Sequence, residues 1–317
     1  MVKKFTLLGI SFTLLALRLS AQQDPQFSQY MFNTIYFNPA FAGVDGVTRL
    51  SGTFRSQWTG YQPTVGGGGA PTTEMISMTT PIYKLNSGFG AYILNDKLGP
   101  QNNLEAQASY AYHLGFKDSK LSFGLRVGMF AQSLNTGLYR AIDQGDPLIP
   151  DQGTISQVRP DMAAGVYYRK EKYYIGVSFD HLLKSTFNFG VGQRSALQPH
   201  AYVTGGYFYE ANFDLKFQFS ALVSSDFTST TTTVSALGYI KDTMWGGLSF
   251  RQSDAITLIL GYSLFKDKSM KIGYSLDYIV SNQQAKQPTS SEFMLTYELP
   301  TNPGAGKKIV RTPRYRH

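Results

Sequence analysis

The sequence predicts an all-β fold: a transmembrane up-and-down antiparallel β-barrel of about fourteen strands, preceded by an N-terminal plug or periplasmic segment. Three observations predict it. Hydrophobic alternation with a period of two runs along nearly the whole chain, the connections between the alternating stretches are long and short in turn, and the charged residues of the best stretches keep to one parity.

Composition sets the frame. The chain has 317 residues, no cysteine, 42% hydrophobic residues and only 16% charged ones, against about 25% charged in an average soluble domain. With 22 Phe, 21 Tyr and 2 Trp it carries far more apolar area than a disordered segment would. The absence of cysteine excludes disulfide frameworks, thiolate zinc sites and thiol catalysis. With four histidines, a histidine-built metal or acid–base centre is not expected. The formal charge of +8 sits in two tails: Lys3, Lys4 and Arg18 at one end, and Lys307, Lys308, Arg311, Arg314 and Arg316 at the other. The remaining body has 21 basic and 21 acidic residues, so a basic nucleic-acid binder is excluded.

Residues 1–21 read as a secretory signal peptide. Lys3 and Lys4 precede an apolar run of 13 residues from Phe5 to Leu17, and Ser20-Ala21 offers a cleavage point before Gln22. A membrane helix would need about 20 apolar residues.

Residues 22–46 are too polar and too broken for a lipid-facing strand, yet they hold Phe27, Tyr30, Phe32, Tyr36, Phe37 and Phe41. So many rings imply packing against something. The free volume of a wide barrel is its interior, so the segment is expected to form a lumenal plug or a lid at the periplasmic mouth. Asn38-Pro39 and Ala42-Gly43 supply turn residues.

The barrel is expected over residues 47–299. Its clearest strands are Val47 to Trp58, Leu104 to Leu114, Leu121 to Gln132, Tyr173 to Asp180, Phe213 to Val223, Ser269 to Ile279 and Ser290 to Leu299. In the second of these, Leu104, Ala106, Ala108, Tyr110, Tyr112 and Leu114 alternate with Glu105, Gln107, Ser109 and His113. Weaker alternation marks Thr72 to Ile82, Ser87 to Asn95, Met162 to Lys170, His200 to Tyr209, Thr230 to Ile240, Met244 to Arg251 and Ala255 to Phe265. Most have the roughly 9 to 11 residues that a tilted strand needs to cross a bilayer.

The odd-numbered connections hold 88 residues together and the even-numbered ones 21. Short periplasmic turns facing long outer loops are a property of outer-membrane barrels, which a Greek-key sandwich has no reason to share. Arg49, Arg55, Glu105, Arg126, Asp180, Asp214, Lys216, Lys271, Asp277, Glu292 and Glu298 all take the parity opposite to the apolar set. A Lys or Arg on a lipid-facing parity would cost about 2 to 4 kcal/mol at mid-depth. A soluble barrel would keep charges out of its core as well, so the aromatic residues favour lipid: Trp58, Tyr112, Tyr173, Tyr278 and Tyr297 stand at or near strand ends, as interfacial girdles do.

Signals for chemistry are weak. Ser109 and His113 share a face but lie about 13 Å apart along a strand, and Asp180 and His181 are neighbours, pointing to opposite faces if both are in the strand. Gly66 to Gly69 is followed by no helix that could present its N-terminus to a phosphate, and GAGKK at Gly304 to Lys308 lacks parts of a P-loop. Asp143, Asp146 and Asp151 miss the EF-hand spacing. The sequence therefore assigns no catalytic residue, no metal and no cofactor. Residues 300–317 form a basic tail, expected on the periplasmic side because an even strand count returns both termini there.

DPQFSQYMFN from Asp24 to Asn33, followed by YFNPAFAG from Tyr36 to Gly43, resembles the start of the PorP/SprF family of type IX secretion membrane proteins from Bacteroidetes. The resemblance continues through the strand-rich body to EFMLTYEL at Glu292 to Leu299. It implies a non-catalytic outer-membrane barrel needed for export or surface attachment of cargo carrying a C-terminal sorting domain, gliding adhesins among it. Implied partners are that cargo, other secretion and motor components in the outer membrane and periplasm, and outer-membrane lipid, with no nucleic acid. The residues it singles out for binding are Asp24, Pro25, Gln26, Phe27, Ser28, Gln29, Tyr30, Asn38, Pro39, Ala40 and Gly43. The Asn-Pro-Ala triplet also resembles the hatch of FadL-type fatty-acid channels, which implies an alternative role as a transporter of small hydrophobic molecules.

Overall fold

The computed structural model describes residues 24–61, 69–138, 153–189, 195–281 and 287–299. The expected signal peptide, the basic tail, Gly66 to Gly68 and the aspartates at 143, 146 and 151 lie outside the described residues.

Fourteen strands close into one antiparallel barrel. Seven come first: β1 (Arg49–Ser56), β2 (Thr72–Ile82), β3 (Ser87–Leu98), β4 (Gln101–Gly115), β5 (Ser119–Asn135), β6 (Thr154–Lys170) and β7 (Tyr173–Asp180). A small ribbon of β8 (Thr186–Phe187) and β9 (Ser195–Ala196) intervenes. The second seven are β10 (His200–Glu210), β11 (Leu215–Ser225), β12 (Thr230–Ile240), β13 (Met244–Arg251), β14 (Ala255–Leu264), β15 (Met270–Ile279) and β16 (Thr289–Glu298). Each barrel strand pairs with its neighbours in sequence, and β1 closes the ring on β16 from Arg49↔Glu298 to Ser56↔Ser291. Closure leaves no open edge, as a hydrocarbon surrounding requires.

The wall is inverted relative to a soluble barrel. Along β7, Tyr173, Ile175, Val177 and Phe179 are exposed while Tyr174, Gly176, Ser178 and Asp180 are buried. Likewise Ile76 and Leu125 are 71% and 60% exposed, whereas Arg55 and Arg126 are 2% and 1% exposed. Water would bury the apolar set. Its exposure over the whole barrel identifies the outer solvent as lipid, a choice that charge parity alone leaves open. Tyr112, Tyr173, Tyr278 and Tyr297 face outward near strand ends, joined near one end by Tyr83, Phe116, Phe213 and Phe265.

Connections 57–71, 136–153 and 181–199 lie at one end, and no connection at the other end exceeds five residues. The first end is therefore the outer one. At that end the strands run further than the alternation predicts. β3 and β4 meet in a turn at Gly99-Pro100, with Leu98↔Gln101 as the last pair, where eight residues of loop are expected. β5 and β6 stay paired up to Asn135↔Thr154. Above the lipid both faces of a wall are wet, so Gln101, Asn102 and Asn103 carry no alternation to read.

Residues 24–48 lie inside the cylinder, and none of them is exposed. The segment contains one helical turn, α1 (Thr34–Phe37), and a 3-10 turn over Pro39–Phe41. Its direction follows from its partners. Asp24 sits among residues at the outer ends of β7 and β10, while Asp45 binds Arg49 and Arg169 at the periplasmic ends of β1 and β6. The chain thus descends through the barrel before β1 climbs back. The even strand count places the start of β1 and the end of β16 together at the periplasmic end, where Leu299 N donates to Thr48 O at 2.9 Å.

Candidate functional site

The site is the interface between this lumenal segment and the inner wall. Its outer end begins at Asp24. His181 leaves β7 with a left-handed φ of 54°, so it turns into the lumen with Asp180 instead of pointing to the opposite face. His181 Nε2 lies 3.1 Å from Asp24 Oδ1, and His181 Nδ1 lies 2.9 Å from Asp161 Oδ2. His200 Nδ1 is 3.3 Å from Asp24 Oδ2, and Tyr202 Oη donates to the same oxygen at 2.5 Å. The buried Asp24 carboxylate is thus held by His181, His200 and Tyr202 together. Beneath, Arg126 pairs with Asp180, donates from Nη1 to the Tyr36 carbonyl at 2.6 Å and stands over the Tyr92 ring.

A second buried network holds the next turn. Ser28 N and Gln29 N donate to the two oxygens of Glu292 at 2.7 and 2.9 Å. Ser28 Oγ donates to Asp277 at 2.7 Å and accepts from Arg55 Nη1 at 2.6 Å. Arg55 Nη2 also donates to Asp277 Oδ2 at 2.7 Å. Arg55 and Glu292 are direct cross-strand partners in the β1–β16 register. Ser28 and Gln29 thus seat on a wall network so deeply buried that removing one charged member strands the others without water.

Between the charged levels the aromatic residues pack edge to face. Phe27 meets Tyr36 at 5.2 Å and Phe37 at 6.2 Å, and Phe37 meets Tyr202 at 5.3 Å. Such pairs add about 0.5 to 1.5 kcal/mol each beyond their buried area. Tyr30 Oη is 3.1 Å from Ser235 Oγ, its donor. Pro25 and Gln26 are half-buried beside a void of about 20 Å³ that Asp24 and His200 also line.

The Asn-Pro-Ala turn docks on a wall thinned to glycine. Asn38 Oδ1 accepts from Ala40 N at 2.9 Å, and Pro39 supplies the fixed first residue of the 3-10 turn. Asn38 Nδ2 donates to the carbonyls of Val166 and Val177 at 3.0 and 3.3 Å. A Cβ on Gly124 would lie 2.2 Å from Ala40 N, and one on Gly165 2.3 Å from Asn38 Oδ1. Gly43 has φ +68°, and a Cβ there would meet Gly88 Cα at 2.7 Å. Only glycine fits that approach.

The periplasmic half is more open. Asp45 pairs with Arg49 at 2.6 Å and with Arg169, and Glu298 receives Arg49 at 2.8 Å and Lys271 at 2.7 Å. These groups are 13 to 28% exposed and border a cavity of about 370 Å³. Its apolar lining includes Phe32, Tyr239, Trp245 and Met294, and its rim carries Asp242 and Lys268 from the periplasmic turns.

At the outer mouth, β8–β9 folds against the extended β5–β6 wall. Phe187 packs in a small core with Phe130, Phe189 and Leu197, and Arg159 Nε donates to the Thr186 carbonyl at 3.0 Å. Of the pairs weighed for catalysis, His113 finds Ser122 Oγ at 2.8 Å. The singled-out residues from Asp24 to Tyr30 and from Asn38 to Gly43 all lie in the lumen. What their motif does not reveal is the receiving set: Arg55, Arg126, Asp161, His181, His200, Asp277 and Glu292. Inward parity is legible for four of these, but their partners come from distant strands.

A lipid-facing barrel with its lumen filled by its own leading segment defines an integral outer-membrane protein. The chain belongs to the PorP/SprF family of type IX secretion system membrane proteins, which matches residues 19–297. Among solved structures it is similar to a FadL homologue of Pseudomonas aeruginosa, with 14% identity, a TM-score of 0.45, and coverage of 87% of this chain and 95% of that one. It is also similar to the outer membrane protein Omp33 of Acinetobacter baumannii, with 7% identity, a TM-score of 0.45, and coverage of 80% and 98%. No curated protein matches the chain.

Proposed function

We propose that the protein is a closed, non-catalytic subunit of type IX secretion. It retains or hands on cargo with a C-terminal sorting domain, such as a surface adhesin, and docks to secretion and motor components through its two ends. The observation that carries this reading is the filled lumen: residues 24–46 are tied to the wall by hydrogen bonds to the buried charged groups of Arg55, Arg126, Asp277 and Glu292 and by close backbone approach at Gly124 and Gly43. A barrel so occupied offers surfaces in place of a passage. The 57–71, 136–153 and 181–199 connections provide one surface and the periplasmic cavity the other.

The test is isolation of tagged protein from its native envelope in mild detergent. Co-elution of a large surface protein, lost when an outer connection is shortened, is the expected result. A second reading, transport of a small hydrophobic molecule, draws support from the apolar lining of the 370 Å³ cavity. Fatty acid co-eluting in place of protein partners would favour it.

A further inference from the structure

The outer end of the lumen gathers Asp24, His181 and His200, whose potential ligand atoms all lie within 4.8 Å of one another. All three side chains are buried: Asp24 is 8% exposed, His181 1% and His200 2%. We propose that these residues form a binding site for a divalent transition-metal ion of the zinc class, which clasps the leading end of the plug to the outer ends of β7 and β10.

The distances fit coordination. Zinc bonds of about 2.0 to 2.1 Å to nitrogen and oxygen, in a tetrahedron, set ligand atoms roughly 3.3 Å apart. The two carboxylate–imidazole separations are 3.1 Å (Asp24 Oδ1 to His181 Nε2) and 3.3 Å (Asp24 Oδ2 to His200 Nδ1). Behind His181, Asp161 Oδ2 lies 2.9 Å from Nδ1. A carboxylate there fixes the proton on Nδ1 and frees the Nε2 lone pair, which is the carboxylate–histidine–metal arrangement of many metal sites. Gln107 Nε2 holds that same Asp161 oxygen at 3.2 Å. Tyr202 Oη donates to Asp24, and the Gln198 carbonyl oxygen accepts from His200 Nδ1 at 3.0 Å, a proton that leaves when this nitrogen takes the ion. The void of about 20 Å³ beside Asp24 and His200 has room for one water to complete the shell.

Formal charge points the same way. Asp24, Asp161 and Asp180 are buried together, and among the described residues Arg126 is the guanidinium paired to them. Three carboxylates against one guanidinium leave the group anionic apart from its imidazoles, a setting that favours a divalent cation. Binding releases whatever protons the imidazoles hold and changes no oxidation state.

The test uses the full mature protein in detergent, stripped with chelator, incubated with zinc chloride and freed of excess metal before elemental analysis. The proposal expects about one zinc per chain, loss of most of it in His181→Ala and His200→Ala, and retention in His113→Ala. Zinc unchanged in the first two variants, or no tightly held zinc in the unaltered protein, would overturn it. Because those variants could fail to assemble, cobalt(II) is also added to the unaltered protein. Visible bands of four-coordinate cobalt with nitrogen and oxygen donors, displaced by one equivalent of zinc, support the site, and an octahedral aquo-type spectrum contradicts it.

Discussion

The two halves of the lumen are built from the same chain segment and the same wall, yet they solve different problems. In the outer half the charges are sealed: Arg55, Arg126, Asp277 and Glu292 are at most 3% exposed and each is matched by an opposite charge. In the periplasmic half, Arg49, Lys271 and Glu298 are 22 to 28% exposed around a cavity. The difference teaches where the plug is anchored and where it leaves room. Buried pairs make the outer half costly to open, while half-wet pairs leave the inner half able to exchange partners.

The largest effect should come from the sealed half. Arg55→Ala leaves Asp277 and Glu292 buried without their guanidinium, and the expected loss is about 3 to 5 kcal/mol. Urea unfolding in detergent, followed by the gel shift between folded and unfolded barrel, reads it. A loss below 1 kcal/mol would remove the distinction between the halves.

A middle-sized effect is expected at the turn near the periplasmic end. Gly43→Ala places a Cβ at positive φ against the backbone of β3, for which about 1 to 3 kcal/mol is expected from the dihedral alone. Limited proteolysis of the N-terminal segment should accelerate in this variant. Unchanged protection would mean that the close approach to Gly88 does not hold the plug.

The smallest effect belongs to the open half. Lys271→Ala removes a partly exposed ion pair from Glu298, which keeps Arg49 as a partner, so the same unfolding experiment should register about 1 kcal/mol or less. A loss as large as that of Arg55→Ala would show that both halves are sealed alike.

The sequence foretells these regions unevenly, for physical reasons. Inside the lipid zone one face must be apolar, so β2, β7, β12 and β13 begin and end where alternation places them. Above it the constraint lapses, and the upper parts of β4, β5 and β6 and the β8–β9 ribbon leave no periodic trace. In the lumen, the inward parity of Arg55 and Glu292 is visible along each strand. Their pairing needs the closure of β1 on β16 across 237 residues, which no local pattern encodes. His181 is the hardest case, since its inward turn depends on one left-handed residue just past a strand end. By contrast the Asn38-Pro39 turn announces itself, because its cap is local.

Reconstitution of the unaltered protein into a planar lipid bilayer tests the central claim most directly. If residues 24–46 close the barrel, no stable ion conductance appears across the membrane. A steady open-channel current through the unaltered protein would contradict the account.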